Sequence, residues 1–312
     1  MAVGERGIAR VSGRLIHVDS AYLNNAVQVA RAARLARIEG MIILDLNNRH
    51  GIITGAGQGI GRALAVEFGS RGAHLLLVGR KESTLTATAQ LVEAAGGTAE
   101  VLAQDLTLRG SIDRVAEAVE SWATVDLLVN NAGNVRAGRL ENTSEADIRS
   151  MIDLNLVAPL LLTRALLPRL RAGADRDSIV LNISSGIALV GIPFYSVYAA
   201  TKAGLARFGE SLRRELTGTG VHVATVYPGA TDTDMMTSQN AAASPGWERR
   251  PLDDVITDLL AGLEAGDHEI NTAPEGRRGM QELNISDPMA VDAAMAPGLA
   301  DLESAVRDHR SI

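Results

Sequence analysis

The chain has 312 residues, 46% of them hydrophobic, and 30 basic against 37 acidic side chains give a net charge of −7. That is enough apolar material for one large core, and the acidic balance argues against nucleic-acid binding, which leaves a basic footprint. There is no cysteine, which excludes disulfides, thiol nucleophiles and cysteine-ligated metals and fits a cytoplasmic protein.

Residues 1–40 differ from the rest, with six arginines (Arg6, Arg10, Arg14, Arg31, Arg34, Arg37) and three acids. They lack the continuous apolar core of a secretory signal. They read as an N-terminal extension, disordered or partly helical, with helical character at 21–39 and Met41 as an alternative start. From Asp45 short apolar runs alternate with amphipathic stretches. Strands are predicted at 50–54, 74–79, 99–103, 126–130, 178–183, 221–226 and 268–271, and helices at 60–71, 82–95, 111–121, 145–171, 196–217 and 251–265. This alternation predicts an α/β, doubly wound Rossmann-type fold: a parallel seven-stranded sheet with helices on both faces, filling 41–279. Ligands then sit at the carboxyl ends of the strands. The tail, 280–312, has weak helical signal. No apolar run approaches the ~20 residues of a membrane span.

Several motifs carry chemistry. Thr54-Gly-Ala-Gly-Gln-Gly-Ile-Gly61 follows an apolar strand and opens a helix. Glycines there let the backbone approach a pyrophosphate, which a helix N-terminus attracts. The spacing is Gly55-x-x-x-Gly59-x-Gly61, so the strict G-x-G-x-x-G dinucleotide pattern is absent. Tyr198 and Lys202, four apart, share a helix face. A cation beside a phenol favours the phenolate and makes it a better acid–base group. Tyr195 competes with Tyr198, but four residues beyond it lies Ala199, which shifts no pKa; Tyr195 reads as a pocket wall or packed aromatic. Ser184 and Ser185 end a strand, where a hydroxyl can donate to a carbonyl oxygen or cap a turn. Asn155 stands mid-helix, where asparagine is disfavoured. After the second strand no acid follows; Gly79 is succeeded by Arg80 and Lys81. Two cations suit a ribose 2′-phosphate, so NADP is expected over NAD. The six histidines (His17, His50, His74, His222, His268, His309) show no metal spacing and read as surface or strand-end residues. No metal is expected. No G-x-S-x-G elbow surrounds Ser184 or Ser185.

These motifs, in this order, resemble the short-chain dehydrogenase/reductase family in its single-domain form. Thr54 to Gly61 matches its T-G-x-x-x-G-x-G at every fixed position. Asn130-Asn131-Ala132-Gly133 is similar to its N-N-A-G, and Asn155 to its helix asparagine. Ser185 lies thirteen residues before Tyr198, the family's usual interval, which favours Ser185 over Ser184. Pro228-Gly229, with Thr233, resembles its post-strand P-G motif. The resemblance spans roughly residues 45–275. It implies catalysis by Asn155, Ser185, Tyr198 and Lys202, with Asn155 kinking its helix and holding a water linked to Lys202. It implies cofactor binding by Thr54, Gly55, Gln58, Gly59, Ile60, Gly61, Arg80, Lys81, Asp105, Leu106, Asn131, Ala132, Gly133, Tyr198, Lys202, Pro228, Gly229 and Thr233. Gln58 stands where many NADP members carry a basic residue, which runs against the NADP expectation.

The expected activity is NADP-dependent interconversion of a ketone or aldehyde and an alcohol, with Tyr198 as acid/base. The alternative is a catalytically silent NADP-binding sensor or scaffold, against which the intact Asn155, Ser185, Tyr198 and Lys202 set speaks. The apolar run Ile187, Leu189, Val190, Ile192, Pro193 and Phe194 predicts a small to medium lipophilic substrate. A lid is expected at 234–250, containing Met235, Met236 and Trp247. The resemblance also implies a homodimer or homotetramer joined through helices 145–171 and 196–217.

Overall fold

Each strand of the main sheet is followed by a helix that carries the chain back across one face, so successive strands enter in the same direction. The computed structural model describes residues 6–11, 14–19, 44–173, 177–236 and 249–311. The chain divides into two compact units, 1–43 and 44–312. In the first, β1 (Arg6–Val11) and β2 (Arg14–Asp19) pair antiparallel with Arg6 opposite Asp19. Ile8, Val11, Ile16 and Val18, β-branched residues in these two short runs, favour the pairing. The helical character expected at 21–39 lies outside the described residues.

The second unit runs β3 (His50–Thr54), α1 (Gly59–Ser70), β4 (His74–Gly79), α2 (Glu82–Ala94), β5 (Thr98–Ala103), α3 (Ser111–Ala118) and β6 (Leu127–Asn130). Then α4 (Glu145–Ile152) passes through a π-helical turn (Asp153–Val157) into α5 (Ala158–Arg171). There follow β7 (Ser178–Ile183), α6 (Ser196–Glu215), β8 (Val221–Tyr227), α7 (Leu252–Glu264) and β9 (Glu269–Asn271). The sheet order is β5-β4-β3-β6-β7-β8-β9, parallel throughout. This is the doubly wound seven-stranded sheet expected from the sequence.

Side chains alternate across the sheet with period two. Ile53, Leu75, Leu77 and Val129 face one way, onto Leu64 and Phe68 of α1 and Leu259 of α7. Ile52, Leu76, Val78 and Leu128 face the other, onto Val115 of α3 and Leu162 and Leu166 of α5. The helix Glu145–Arg171, in which an 18-residue window reaches a mean hydropathy of 1.5, is long and apolar enough to cross a membrane by length and composition alone. Asp153, Arg164 and Arg169 interrupt it, so it holds no continuous apolar run of about 20 residues. Leu162, Leu166 and Leu170 of this helix lie in the sheet's core.

The tail is more ordered than its weak helical signal implied. It forms α8 (Glu275–Ser286), α9 (Pro288–Met295) and α10 (Leu299–Val306). Asp287 caps α9 by accepting from Ala290 N at 3.1 Å, with Pro288 as the first helical residue. Helices this short draw most of their stability from packing. Val291 and Val306 supply it, in a third apolar cluster with Val135, Val190, Ile192 and Tyr195.

At the carboxyl edge, one hydroxyl joins β3 to β6. Thr54 Oγ1 donates to Val129 O (3.2 Å) and accepts from Asn131 N and Ala132 N (both 3.0 Å). Thr54→Val leaves two amides short of a partner, at about 1–3 kcal/mol each. Thermal and denaturant unfolding should show a loss of roughly 2–4 kcal/mol, with Thr54→Ser near wild type. A Val variant as stable as wild type would contradict this role.

Candidate active site

The strand order reverses between β3 and β6, and the connections leaving them diverge, which opens a crevice at their carboxyl ends. Two depressions lie there. The outer cleft is lined by Gly55, Gln58, Gly59, Ile60, Arg80, Lys81, Asp105, Leu106, Asn131, Ala132, Gly133 and Thr233. The inner cavity, about 180 Å³, is lined by Ser185, Tyr198, Lys202, Pro228 and Gly229, and shares Ile60, Asn131, Gly133 and Thr233 with the cleft. Of the expected site residues, Thr54, Gly61 and Asn155 line neither depression.

The cleft's floor is set by glycines. Gly55 and Gly59 adopt φ of +66° and +53°, a left-handed conformation that favours glycine. A Cβ at Gly61 would collide with the Gly55 carbonyl and Asn131 Nδ2, so the missing side chain lets the loop close on the N-terminus of α1. Asn131 Nδ2 donates to Thr54 O (3.0 Å) and Gly55 O (3.2 Å), which holds the loop's shape. A Cβ at Gly79 would stand 3.2 Å from Leu85 Cδ2, so an acidic side chain there would crowd α2. Arg80 and Lys81 are exposed at the cleft wall.

In the inner cavity, Ser185 and Tyr198 line the same space, and the Ser185 hydroxyl accepts from Ile187 N at 3.3 Å. Ser184 is otherwise engaged, donating to Lys202 O at 2.8 Å inside the protein. Lys202 is 4% exposed, and its Nζ donates to Ile183 O at 2.9 Å. Asn155 sits in the π turn, which accommodates its side chain: Oδ1 accepts from Asn134 N (2.8 Å), and Nδ2 donates to Asn134 O (2.8 Å) and Thr201 Oγ1 (3.2 Å). A Cβ at Gly133 would stand 3.1 Å from Asn155 Oδ1 and 3.3 Å from Lys202 Nζ, so both polar groups reach the same small space.

The electrostatics correct one expectation. Burial pushes the Tyr198 pKa up to about 12, and the neighbouring Ser185 hydroxyl only partly offsets it. Lys202 Nζ lies 5.9 Å from the Tyr198 ring centroid and is not what shifts that phenol. Burial lowers Lys202 itself to about 8. Desolvation of both groups outweighs their mutual attraction in the protein alone.

Tyr195 and His309 line the inner cavity, with Arg277 and Gln281 of α8. Tyr195 is the pocket wall the sequence reading allowed, whereas His309, Arg277 and Gln281 were not expected there. His309 is 3% exposed, not a surface or strand-end residue. Ile187, Val190, Ile192, Met235 and Met236 form apolar walls, whereas Leu189, Pro193 and Phe194 do not line it. Phe194 takes φ of 70°, a strained value for a bulky residue; Gly138 N, donating to its carbonyl at 2.8 Å, holds it there. Trp247 lies outside the described residues.

Comparisons with known proteins bear on the family and the fold. The short chain dehydrogenase family model matches residues 49–244, more than half of the chain. A ketoacyl reductase, HetN, from a Nostoc species is 36% identical over 196 residues, 62% of this chain and 67% of that protein. A short-chain dehydrogenase from Sphingobium yanoikuyae, in complex with NADPH, superposes with a TM-score of 0.67 at 28% identity, covering 77% of this chain and 95% of that one. A metagenomic short-chain oxidoreductase in complex with NADP does so with a TM-score of 0.62 at 32% identity, covering 74% and 99%. With this match over more than half of its length, its glycine loop and its parallel sheet, the chain belongs to the short-chain dehydrogenase family and is an oxidoreductase.

Proposed function

We propose that the protein uses NADP(H) to interconvert a ketone or aldehyde and the corresponding alcohol. The observation that carries this is the convergence of Ser185, Tyr198 and Lys202 on one largely apolar cavity that opens onto the glycine-lined cleft. Gly55, Gly59 and the α1 N-terminus would hold the pyrophosphate, Asp105 and Leu106 the adenine, and Arg80 and Lys81 the 2′-phosphate. Pro228, Gly229 and Thr233 would border the nicotinamide. Complexes of related enzymes with NADPH and NADP support that cofactor.

When bound, NADPH supplies a hydride to the carbonyl carbon. Ser185 donates to the carbonyl oxygen and draws charge onto it. Tyr198 gives its phenolic proton to that oxygen as the alkoxide forms. Its raised pKa keeps the phenol protonated until so strong a base appears, which suits the reducing direction. Lys202, near neutrality in its proton affinity, returns a proton to Tyr198, with Asn155 holding a water at the space both side chains reach. The ammonium also binds the nicotinamide ribose. Ile187, Val190, Ile192 and Met235 receive a compact lipophilic substrate. The Nostoc relative, a ketoacyl reductase by name, is consistent with carbonyl reduction. The same reading extends to a homodimer or homotetramer joined along Glu145–Arg171, where Ile152, Val157 and Leu161 are exposed.

Tyr198→Phe should lower kcat by about 10²–10⁴-fold while NADPH binding, followed by fluorescence, persists. A Phe variant with wild-type turnover would remove Tyr198 from the chemistry, and NADPH binding without turnover in the wild type would favour a sensor. Replacing Arg80 and Lys81 together by alanine should weaken NADPH by about 10–100-fold, from the lost charge-assisted hydrogen bonds. NADH should be little affected, and an equal loss for both cofactors would contradict NADP preference. Lys202→Met should abolish turnover yet stabilise the cofactor-free protein at pH 7 by about 1–3 kcal/mol. Below its folded pKa of about 8 the wild type holds a desolvated ammonium, a cost that fades as pH rises from there to the ordinary value of 10.5. The gap between the variants should narrow over that window; a gap independent of pH would contradict it.

A further inference from the structure

Two phenols face one cavity. Tyr195 and Tyr198 both line it, with ring centroids 6.5 Å apart. Each can donate a hydrogen bond to a carbonyl oxygen, so a ketone held by the wrong one would present the wrong face or distance to the cofactor. The tail resolves this competition. His309 Nε2 lies 3.0 Å from Met235 O, and Nδ1 lies 2.6 Å from Tyr195 Oη. A carbonyl oxygen only accepts, so Nε2 carries the ring proton. In the neutral ring Nδ1 is then an acceptor, and Tyr195 must donate to it. Burial lowers the His309 pKa and favours that neutral form. The Tyr195 proton therefore points to the imidazole, and the oxygen turns only lone pairs toward the cavity.

Resting on the carbonyl-reduction reading above, we propose that His309 is a positioning residue: it draws the Tyr195 proton out of the cavity, so that of the two tyrosines only Tyr198 donates to the substrate, and one face of a prochiral ketone meets the hydride. The fold holds His309 firmly for this task. Ala137 N donates to His309 O (3.0 Å) and Ser311 N to Val135 O (3.1 Å), and Val135 N donates to Ser311 Oγ (2.9 Å). The preceding α10 is tied down by Arg139, bidentate to Glu303 at 2.6 Å and 2.6 Å, and by buried Val306. On the tail side, Glu303, Val306, His309 and Ser311 lie beyond residue 244, where the family match ends.

The test is product stereochemistry with a prochiral aryl alkyl ketone that the wild type reduces with NADPH, read for wild type, Tyr195→Phe, His309→Phe and the double variant. His309→Phe frees the Tyr195 hydroxyl and should lower the enantiomeric ratio about fivefold, the worth of one hydrogen bond. Tyr195→Phe alone should keep the wild-type ratio, and adding it to His309→Phe should restore that ratio. A merely structural loss at His309 would not be rescued by removing a hydroxyl. Nitrogen-15 NMR of the imidazoles in the wild type should show His309 as the Nε2–H tautomer with Nδ1 accepting. An Nδ1–H tautomer, selectivity unchanged in His309→Phe, or a double variant as unselective as the single one would overturn the positioning role alone. A wild type that reduces no carbonyl would overturn the oxidoreductase reading and this role with it.

Discussion

The Lys202 ammonium stands inside the protein, 4% exposed, where desolvation brings its pKa down to about 8. A charge in that position opposes folding, and much of the surrounding architecture is arranged to hold it. The Ile183 carbonyl, at the end of a fully buried strand, accepts from Nζ. Gly133 leaves room for it, and the π turn at Asp153–Val157 aims Asn155 at the same space. Tyr198 shares the desolvation, with its pKa raised to about 12. The pair is thus perturbed in opposite directions by one cause, the removal of water. The two proton affinities are driven apart, to about 12 and about 8, so once the phenol has given up its proton the ammonium readily returns one to it.

The cleft and the cavity divide the labour by burial. Arg80 and Lys81 are exposed, where a phosphate can arrive with part of its hydration. The inner cavity is walled by Val190, Ile192 and Ile187, and a low-dielectric surround strengthens every hydrogen bond made to a developing alkoxide. The loop that joins the two spaces is held by Thr54 and Asn131. These residues touch no ligand space directly in the case of Thr54, yet they set the distance between phosphate loop and reacting groups.

Much of this was legible in the sequence because it is local. A glycine forced by a positive φ, a Tyr–Lys pair one turn apart, and strands alternating with helices all leave their mark within a few residues. The sheet followed directly, and Ser185 could be preferred over Ser184 by interval, a preference that fits the hydroxyl of Ser184 being spent on Lys202 O. What stayed hidden depends on the assembled fold. The direction of the Tyr198 shift needed its burial, and i,i+4 spacing alone overstated the reach of Lys202. The π turn inserts a change of register that helical periodicity does not report. His309 lies 114 residues from Tyr195, on a tail with short, weakly amphipathic helices, so no spacing rule could pair them.

The central claim is that this cavity carries a carbonyl to a nicotinamide and a tyrosine at once. The most direct measurement is to incubate the purified protein with a lipophilic ketone and NADPH deuterated at the transferable position of C4, and to analyse the alcohol by mass spectrometry and NMR. One deuterium at the carbinol carbon, with stoichiometric loss of NADPH, is the predicted result. NADPH that binds but is never consumed, or an alcohol without deuterium at that carbon, would contradict the account.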